Sequence, residues 1–501
     1  MMKTRWLYRI TFLYLLVPFL IFCVGWLRLI VMLPVTLLMI AAGIQLFRHA
    51  SEVEFEVSRK HIGVLLSVSG LWVLLSGVGG YAFQNWDHHW RNAVLRDLIA
   101  YDWPVFYAKP DKGPITMLVY YVGYWLPAAL TGKLVGWKAA NFILFLWTWL
   151  GVLLVLLHLH RKLKTSLINA VLLLIFFSGM DALGTLLFAK EYPTLWPPIQ
   201  HLEIWSGSLQ YSSFSTQLFW VFNQAVPAWL CCVLIMESGS SLPQGLVSSS
   251  KILIWSLCFF LAPLASLGLL PYLFIELLKQ VDFKNPFKIL DVVLVPSSIV
   301  IVFISYLFFS SNSAAQQRGF QLLAITEFLP FFLLEGGLLW LLLAFPKWRD
   351  VRWWITGFLL IILPFLQIGS GRDLVMRASI APLFCLMMLS GEVLFQDQTS
   401  RLYRMAVLAM LMIGALTPLY EMDRSIYRTF EYDFILGASE RVSLPIEMVT
   451  HLPQPGAPEF DHPGSLTADG IPTLKFMTDE LSRNFIANVR QSLYYRFLSS
   501  R

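Results

Sequence analysis

The hydrophobic pattern of the chain alternates long apolar runs with short polar connections. A helix of about 20 apolar residues is long enough to cross the hydrocarbon core of a bilayer. By this criterion the sequence predicts membrane spans at 7–27, 29–47, 61–80, 139–158, 166–180, 218–236, 288–309, 321–345, 353–369, 375–395 and 405–419. A further apolar stretch, 252–278, is interrupted by Pro263 and Pro271, which predicts a hairpin of two short helices.

The pattern therefore predicts an all-α polytopic membrane protein with 11–13 transmembrane helices and 13 as the preferred count. The composition agrees with this class, because 57% of the 501 residues are hydrophobic and only 14% are charged. The net charge of +6 suits a membrane with anionic lipids, and we expect no nucleic-acid partner. The five cysteines fall inside predicted spans, which indicates apolar packing.

The orientation follows from the basic residues that flank the predicted spans. With the N-terminus in the cytoplasm, most of these Lys and Arg residues lie on the inner side, as is typical of membrane proteins. This balance requires that residues 115–135 do not cross the membrane. That stretch is aromatic and broken at Pro127, so we expect a helix along the outer interface.

Two outer loops and a polar tail follow from this topology. The first loop runs over 81–138 and carries juxtamembrane helices, and the second covers 181–217. Residues 1–419 then form the polytopic domain, and 420–501 form a small extracytoplasmic tail or domain. The tail contains Pro453, Pro455 and Pro458, which indicate a linker.

The first outer loop contains the densest group of ionisable residues close to a span, in the motif QNWDHHWRNAVLRDL. Asp87 is suited to act as a general base or to hold a divalent metal, and the alternative is a simple helix cap. Adjacent His88 and His89 are candidate substrate-binding residues. Because they point about 100° apart on a helix, they do not readily share one metal. Arg91 and Arg96 are candidates for contacting a lipid phosphate, with surface solvation as the alternative.

Further candidate residues lie at three other predicted outer positions. Asp181, a lone acid at the end of a span, indicates a cavity or a polar neighbour unless it caps a helix. His201 and Glu203 form a weak metal-binding pattern without a third ligand, and ordinary loop polarity is the alternative. Arg372 and Arg377 are candidates for binding a phosphate, against local pairing of Arg372 with Asp373 and snorkelling of Arg377.

The region 80–190 resembles the GT-C superfamily of integral-membrane glycosyltransferases, which includes protein O-mannosyltransferases and the aminoarabinose transferase of lipid A. The matching elements are QNWDHHWRNAVLRDL, KPDKGPITMLVYY, LTGKLVGW, LLVLLHLHRKLK and SGMDAL. The loop departs from the family pattern at His88, where a second acid often follows, and at Asp111, in KPD instead of Lys-Pro-Pro.

The resemblance implies transfer of a sugar from a polyprenyl-phosphate donor to a glycan, lipid or protein acceptor of the cell envelope. The reaction would take place on the extracytoplasmic face of a bacterial inner membrane and would invert the configuration at the anomeric carbon. Asp87 would be the general base or acceptor-site acid, and Asp181 a second acid of the same pocket. No cofactor is required by the sequence, and a divalent metal ion is left open.

Two other functions remain as alternatives. A transporter or flippase of lipid-linked sugars would need polar groups through the bilayer, where Glu276 and Glu335 are the visible acids. An O-antigen-type polymerase or ligase typically places its large outer loop late in the chain, whereas the large loop here comes early.

Overall fold

The structure is a computed structural model of the chain. It describes residues 2–49, 54–55, 59–108, 115–189, 194, 196–237, 244–280, 290–312, 318–369, 372–431, 484–489 and 492–500. The predicted proline-rich linker around Pro453, Pro455 and Pro458 lies outside these residues, as does the KPDKGP motif.

The described chain is mostly helical, and its first half contains nine helices. They are α1 (Thr4–Trp26), α2 (Leu29–His49), α3 (Arg59–Leu75), α4 (Trp86–Ala100), α5 (Leu126–Val135), α6 (Trp137–Leu163), α7 (Leu167–Phe176), α8 (Asp181–Phe188) and α9 (Phe214–Ile235).

The second half of the described chain adds twelve helices. They are α10 (Gln244–Leu261), α11 (Pro263–Leu278), α12 (Leu294–Phe309), α13 (Ile325–Phe332), α14 (Leu338–Leu342), α15 (Ala344–Lys347), α16 (Val351–Ile362), α17 (Asp373–Ala378), α18 (Ile380–Phe395), α19 (Arg401–Gly414), α20 (Leu416–Glu431) and α21 (Leu493–Phe497). A π-helical turn, Leu333–Gly337, joins α13 to α14.

The apolar helices match the predicted spans closely. In the described residues, eight helical segments are long and apolar enough to cross a membrane, and five shorter apolar helices lie between them. Every predicted span overlaps one of these segments. The protein is therefore a mostly helical, multi-pass membrane protein, whereas the number of helices that cross the bilayer stays a prediction.

Local sequence signals explain where several of these helices begin and end. The side chains of Ser166, Ser213 and Ser400 each accept a hydrogen bond from a backbone N–H in the first turn of the helix that follows. Pro263 begins α11, whereas Pro271 lies within α11, so the 252–278 stretch breaks at one of its two prolines. Helices α10 and α11 pack against each other, which gives the predicted hairpin.

The 115–135 stretch forms short elements instead of a continuous helix. It contains the three-residue strand Thr116–Leu118, a 3₁₀ turn over Val122–Trp125 and the ten-residue helix α5. A helix of ten residues is about 15 Å long, roughly half the thickness of the hydrocarbon core. Helix α5 packs against α1, α4 and α6, and Gly136 with its positive φ separates α5 from α6.

Short strands, which the all-α prediction missed, connect distant parts of the chain. They are β1 (Met2–Lys3), β2 (Glu54–Phe55), β3 (Phe106–Tyr107), β4 (Thr116–Leu118), β5 (Arg318–Phe320), β6 (Leu366–Ile368) and β7 (Ile486–Asn488). Strands β3, β4 and β7 form an antiparallel sheet in that order, with Met117 opposite Phe106 on one side and Ala487 on the other.

Residues 484–489 and 492–500, called here the closing segment, lie at the same end of the bundle as the first outer loop. Strand β7 pairs with β4, and Leu27 forms an antiparallel bridge with Ser499. Arg28 donates a hydrogen bond to the Ser499 carbonyl, and the Tyr494 hydroxyl donates one to the Trp26 carbonyl. Following the predicted orientation, we call this end of the bundle the outer end.

Charged pairs of the opposite, inner end join neighbouring helices. Glu276 of α11 accepts hydrogen bonds from Lys251 and Lys279, and Glu392 of α18 accepts them from Lys347 and Arg352. Buried carboxylates of this kind are stable only when they are paired, so these contacts are structural.

Two predicted boundaries fall inside helices. The boundary between the polytopic domain and the tail, at 419 and 420, lies within α20, which continues to Glu431. The second outer loop was predicted over 181–217, but residues 181–188 form α8 and 214–217 begin α9. The polar residues of α20 continue the helix because partners such as His201 and Arg424 bind Glu421, whereas the apolar residues of α8 extend the candidate span that begins at Leu167.

Replacement of Tyr494 tests the anchoring of the closing segment. Its side chain is fully buried, so we expect Tyr494→Ala to cost about 3–5 kcal/mol of stability, by analogy with other large aromatic truncations. Phe497→Ala is the matched control, because 66% of Phe497 is exposed and its change should stay within about 0.5 kcal/mol. Thermal unfolding of the purified protein measures both, and equal stabilities of the two variants would contradict the anchoring.

Candidate functional site

Helix α4 carries most of the residues predicted to act in the first outer loop. The chain reaches it through a glycine turn in which Gly77, Gly79 and Gly80 have positive φ values. Asn85 caps the helix, since its side chain accepts a hydrogen bond from the Asp87 N–H at 3.1 Å. The N-cap residue is therefore Asn85, so helix capping does not explain Asp87. The Asp87 carboxylate is available for other contacts in the first turn of α4.

Asp87 pairs with Arg91, one helical turn later. The distance between an Asp87 carboxylate oxygen and Nη2 of Arg91 is 3.0 Å. The side chain of Asp87 is 24% exposed, whereas that of Arg91 is only 5% exposed. Arg91 also donates through Nε to the Asn223 side chain of α9 at 3.2 Å and lies over the Phe222 ring. The carboxylate thus faces solvent while the guanidinium is held in the interior.

Arg377 of α17 joins this pair from a distant part of the sequence. It pairs with Asp373 at 3.4 Å and also interacts electrostatically with Asp87. Tyr120 and Tyr121, whose ring centroids are 3.7 Å apart, interact electrostatically with both Arg91 and Arg377. We call Asp87, Arg91, Tyr120, Tyr121 and Arg377 the arginine cluster.

The cluster contains buried donors without a protein acceptor. Among the residues that the structure describes, Nη1 of Arg91 and Nε of Arg377 have no hydrogen-bond partner. The same holds for Nδ2 of Asn223 and for both polar atoms of the Gln224 side chain. Buried polar groups are nearly always satisfied in folded proteins, so several free N–H groups together indicate a site for an anion or another acceptor.

The closing segment packs against one side of the arginine cluster. The ring of Phe485 lies 4.4 Å from Tyr120 and 6.2 Å from Trp90 of α4, measured between centroids. The Val119 N–H donates to the Phe485 carbonyl, which fixes this strand next to the tyrosine pair. Phe485 was not predicted as part of the site, because nothing in its local sequence marks it.

The other predicted residues of this region have different surroundings. His88 is buried, and Nε2 of its ring contacts the Phe219 carbonyl at 3.0 Å. Burial, reinforced by the charge of Arg91, lowers the pKa of His88 to about 4, so the ring is neutral near pH 7. The side chain of His89 lies outside the described part of the structure.

Arg96 and Arg372, both predicted to contact substrate, make contacts within the protein. Arg96 pairs with Asp97 at 2.7 Å, and Asp97 also accepts a hydrogen bond from Tyr107 at 2.8 Å. Arg372 donates to the Pro364 carbonyl. The local partner of Asp373 is Arg377 instead of Arg372, contrary to the alternative considered from the sequence.

A second group of predicted residues surrounds Asp181, at the start of α8. Asp181, Glu203 and Glu335, called here the acid cluster, are all buried and interact electrostatically with one another. Ser178 donates to Asp181 at 3.1 Å, and Nε1 of Trp205 donates to Glu335 at 2.7 Å. Met180 is the N-cap residue of α8, so helix capping does not explain Asp181.

Glu335 approaches Asp181 because the backbone is close-packed there. The Met180 N–H donates to the Leu334 carbonyl in the π-helical turn. A Cβ added at Gly179 would lie 2.8 Å from Cα of Glu335, so only glycine permits this approach. Glu335 was visible in the sequence as an acid inside a span, but its pairing with Asp181 was not predicted.

The structure brings His201 and Glu203 together, with Nε2 of His201 3.7 Å from a carboxylate oxygen of Glu203. Nδ1 of His201 lies 2.9 Å from a carboxylate oxygen of Glu421 in α20, and Glu421 also pairs with Arg424. Glu203 accepts hydrogen bonds from the Ser213 N–H and the Gln210 side chain. The described residues contain no group of three or more His, Cys, Asp or Glu arranged to hold a metal ion.

Asp87 and Asp181 have different neighbours, and their expected meeting in one hollow stays a prediction. Asp87 interacts with Arg91 and Arg377, whereas Asp181 interacts with Glu203 and Glu335. Helix α9 contacts both groups, because Asn223 is bonded to Arg91 and the N–H of its N-cap residue, Ser213, donates to Glu203. The structure therefore connects each predicted acid to α9 through a different set of neighbours.

Comparison with known proteins adds no identification to this geometry. No protein-family model, curated protein or solved structure matches the chain.

The acid cluster predicts a pH dependence of stability. Burial, followed by the neighbouring Asp181 carboxyl, raises the pKa of Glu203 to about 7. The folded state therefore favours the protonated form of Glu203. Its protonation stabilises the fold fully below about pH 4.5, the ordinary pKa of the group, and this stabilisation is lost as the pH rises through about 7. We expect a loss of roughly 2–3 kcal/mol across this interval.

Glu203→Gln should flatten this dependence, because a neutral amide replaces the protonated acid and Gln210 can turn its own amide to match. Glu327→Gln, at an exposed acid of α13, should retain it. Unfolding midpoints of both variants and the unchanged protein between pH 4.5 and 7.5 provide the measurement. An identical slope for Glu203→Gln and the unchanged protein would show that Glu203 is not the responsible group.

Proposed function

We propose that the protein is a membrane glycosyltransferase that moves a sugar from a polyprenyl-phosphate donor to a cell-envelope acceptor. The observation that carries the proposal is the arginine cluster, where the partly exposed carboxylate of Asp87 pairs with Arg91 and interacts electrostatically with Arg377, and each guanidinium group has an unpartnered N–H donor. Arg groups of this kind suit a phosphate, which accepts several charge-assisted hydrogen bonds.

The proposed reaction is a single displacement at the anomeric carbon. Asp87 takes the proton of an acceptor hydroxyl, and the acceptor oxygen forms the new bond to the sugar. The bond between the anomeric carbon and the phosphate oxygen breaks, and its electron pair leaves with the polyprenyl phosphate. Arg91 and Arg377 stabilise the negative charge that develops on this leaving group. A single displacement inverts the anomeric configuration.

Several features of the outer end support this assignment. Tyr120 and Tyr121 interact electrostatically with both guanidinium groups, and burial raises the pKa of each hydroxyl, so both remain neutral hydrogen-bond donors. Asp87 retains access to solvent at the outer end, where a polar acceptor can approach. The neutral ring of His88 adds no competing charge.

The acid cluster has a different place in the proposal. Its three acids are buried, and His201 beside them pairs with Glu421, so Asp181, Glu203 and His201 are not assigned to the donor. A transport function rests mainly on Glu276 and Glu335, which have structural contacts with Lys251, Lys279 and Trp205. The localisation in a bacterial inner membrane, with the outer end facing the periplasm, is part of the proposal.

Replacement of Asp87 tests the base. We expect Asp87→Asn to lower sugar transfer by about 10²-fold or more, the usual contribution of a general base. The measurement uses membranes supplied with labelled polyprenyl-phosphate hexoses and pentoses, and follows label that leaves the donor. Asp102→Asn, at an exposed acid of the same loop, should leave transfer unchanged. Full activity of Asp87→Asn would remove this residue from the mechanism.

Replacement of Arg377 tests the phosphate site independently of turnover. Loss of one charge-assisted contact should weaken binding of polyprenyl phosphate by about tenfold or more. The test variant is Arg377→Gln. The control is Arg349→Gln, which removes an exposed arginine at the inner end. Binding is measured by titration of the purified protein in nanodiscs. Equal affinities of the two variants would place the phosphate elsewhere.

A further inference from the structure

A cavity of about 570 Å³ lies at the outer end, apart from the residues of the arginine cluster. It is enclosed by α8, by the segment 200–207 and by the beginning of α13. This volume is in the range of sites that hold small organic ligands. The lining residues are Thr185, Phe188, Ala189, Gln200, His201, Leu202, Ile204, Trp205, Ser206, Gly207, Thr326, Glu327 and Pro330.

One side of the cavity is aromatic and opens on the apolar surface of the protein. The rings of Phe188 and Trp205 lie 5.8 Å apart between centroids. Phe188 and Ile204 line the cavity and are 50% and 59% exposed, and neighbouring Ile325 of α13 is 67% exposed. Helices α8 and α13 belong to candidate membrane spans, so an alkyl chain in the bilayer can lie against these residues.

The other side of the cavity is polar and includes His201, which pairs with Glu421 at 2.9 Å. Gln200, Ser206 and Thr326 offer amide and hydroxyl groups, and Glu327 offers a carboxylate. None of the lining residues that the structure describes is Lys or Arg. Groups of this type form hydrogen bonds with hydroxyls, which both donate and accept.

The aromatic wall is held in place before any ligand binds. Trp205 donates through Nε1 to Glu335, and its ring lies so close to Gly184 that a side chain there would overlap it. Thr185 donates to the Leu202 carbonyl at 3.3 Å, which ties α8 to the segment 200–207. Because these side chains are already ordered, a ligand that binds against them causes a smaller loss of conformational entropy.

The acid cluster lies directly behind this wall, through the Trp205–Glu335 contact. The exposed carboxylate of Glu327 at the rim of the cavity disfavours an anionic ligand. This electrostatic character is opposite to that of the arginine cluster, so the two places do not compete for the same chemical group.

We propose that this cavity binds the uncharged, hydroxyl-bearing headgroup of a neutral glycolipid. The sugar ring lies against Trp205 and bonds to Gln200, Ser206 and Thr326, and the lipid chain follows Phe188 and Ile204. An aromatic ring offers a flat apolar surface for one face of a sugar. The inference is independent of the proposed transfer reaction.

Photolabelling tests this site without any assay of activity. The probe is an octyl glucoside with a diazirine in its alkyl chain, applied to the purified protein in nanodiscs, with labelled peptides identified by mass spectrometry. We expect label in 181–189, 200–207 or 325–330. Excess unlabelled octyl glucoside should remove this label, whereas octyl phosphate at the same concentration should not.

Matched variants complete the test. Trp205→Leu should lower labelling of these segments by about fivefold or more, as expected for the loss of one aromatic surface. Trp196→Leu, at an exposed tryptophan of the same outer region, should leave labelling unchanged. Thr326→Phe, which fills the cavity from an exposed position, should act like Trp205→Leu even if the latter folds poorly.

Three outcomes would overturn the proposal. They are unchanged labelling in both Trp205→Leu and Thr326→Phe, equal competition by octyl phosphate, and label confined to the peptides that contain the arginine cluster. Because no sugar transfer is measured, failure of this test leaves the Asp87 and Arg377 results unaffected, and the reverse also holds.

Discussion

The structure depends on one electrostatic constraint, which is that a charge beside the hydrocarbon core needs a partner or access to water. The described charged side chains of the bundle meet it in two ways. At the inner end, Glu276 and Glu392 each join two basic residues from neighbouring elements. At the outer end the charges separate into a basic group and an acidic group, and this separation gives the two candidate sites their different chemistry.

Helix α9 is the element that links both outer groups. It is buried along nearly its entire length, and Val221 departs from helical geometry within it. Its Asn223 side chain holds Arg91, and its Trp220 side chain holds Glu421. Because a buried helix cannot shift without moving its neighbours, α9 fixes the position of each group relative to the bundle.

The sequence allowed the apolar helices to be predicted, since apolar length and polar interruption are local signals. The pairing of Asp87 with Arg91 also follows from their spacing of four residues. By contrast, His201 contacts Glu421 across 220 positions, and Arg377 reaches Tyr121 only through packing of α17. The strands were not predicted because a strand of two or three residues is too short to show an alternation of apolar and polar positions. The closing segment was not predicted because its partners, like those of His201, lie hundreds of positions away in the sequence.

The closing segment has a consequence for biosynthesis. Its residues follow every described apolar helix in the sequence, yet Phe485 forms a wall beside Tyr120, which is made much earlier. All the described apolar helices are therefore translated before this wall is assembled. A stop codon shortly before residue 484 would leave those helices available for membrane insertion, while the aromatic side of the arginine cluster would stay open.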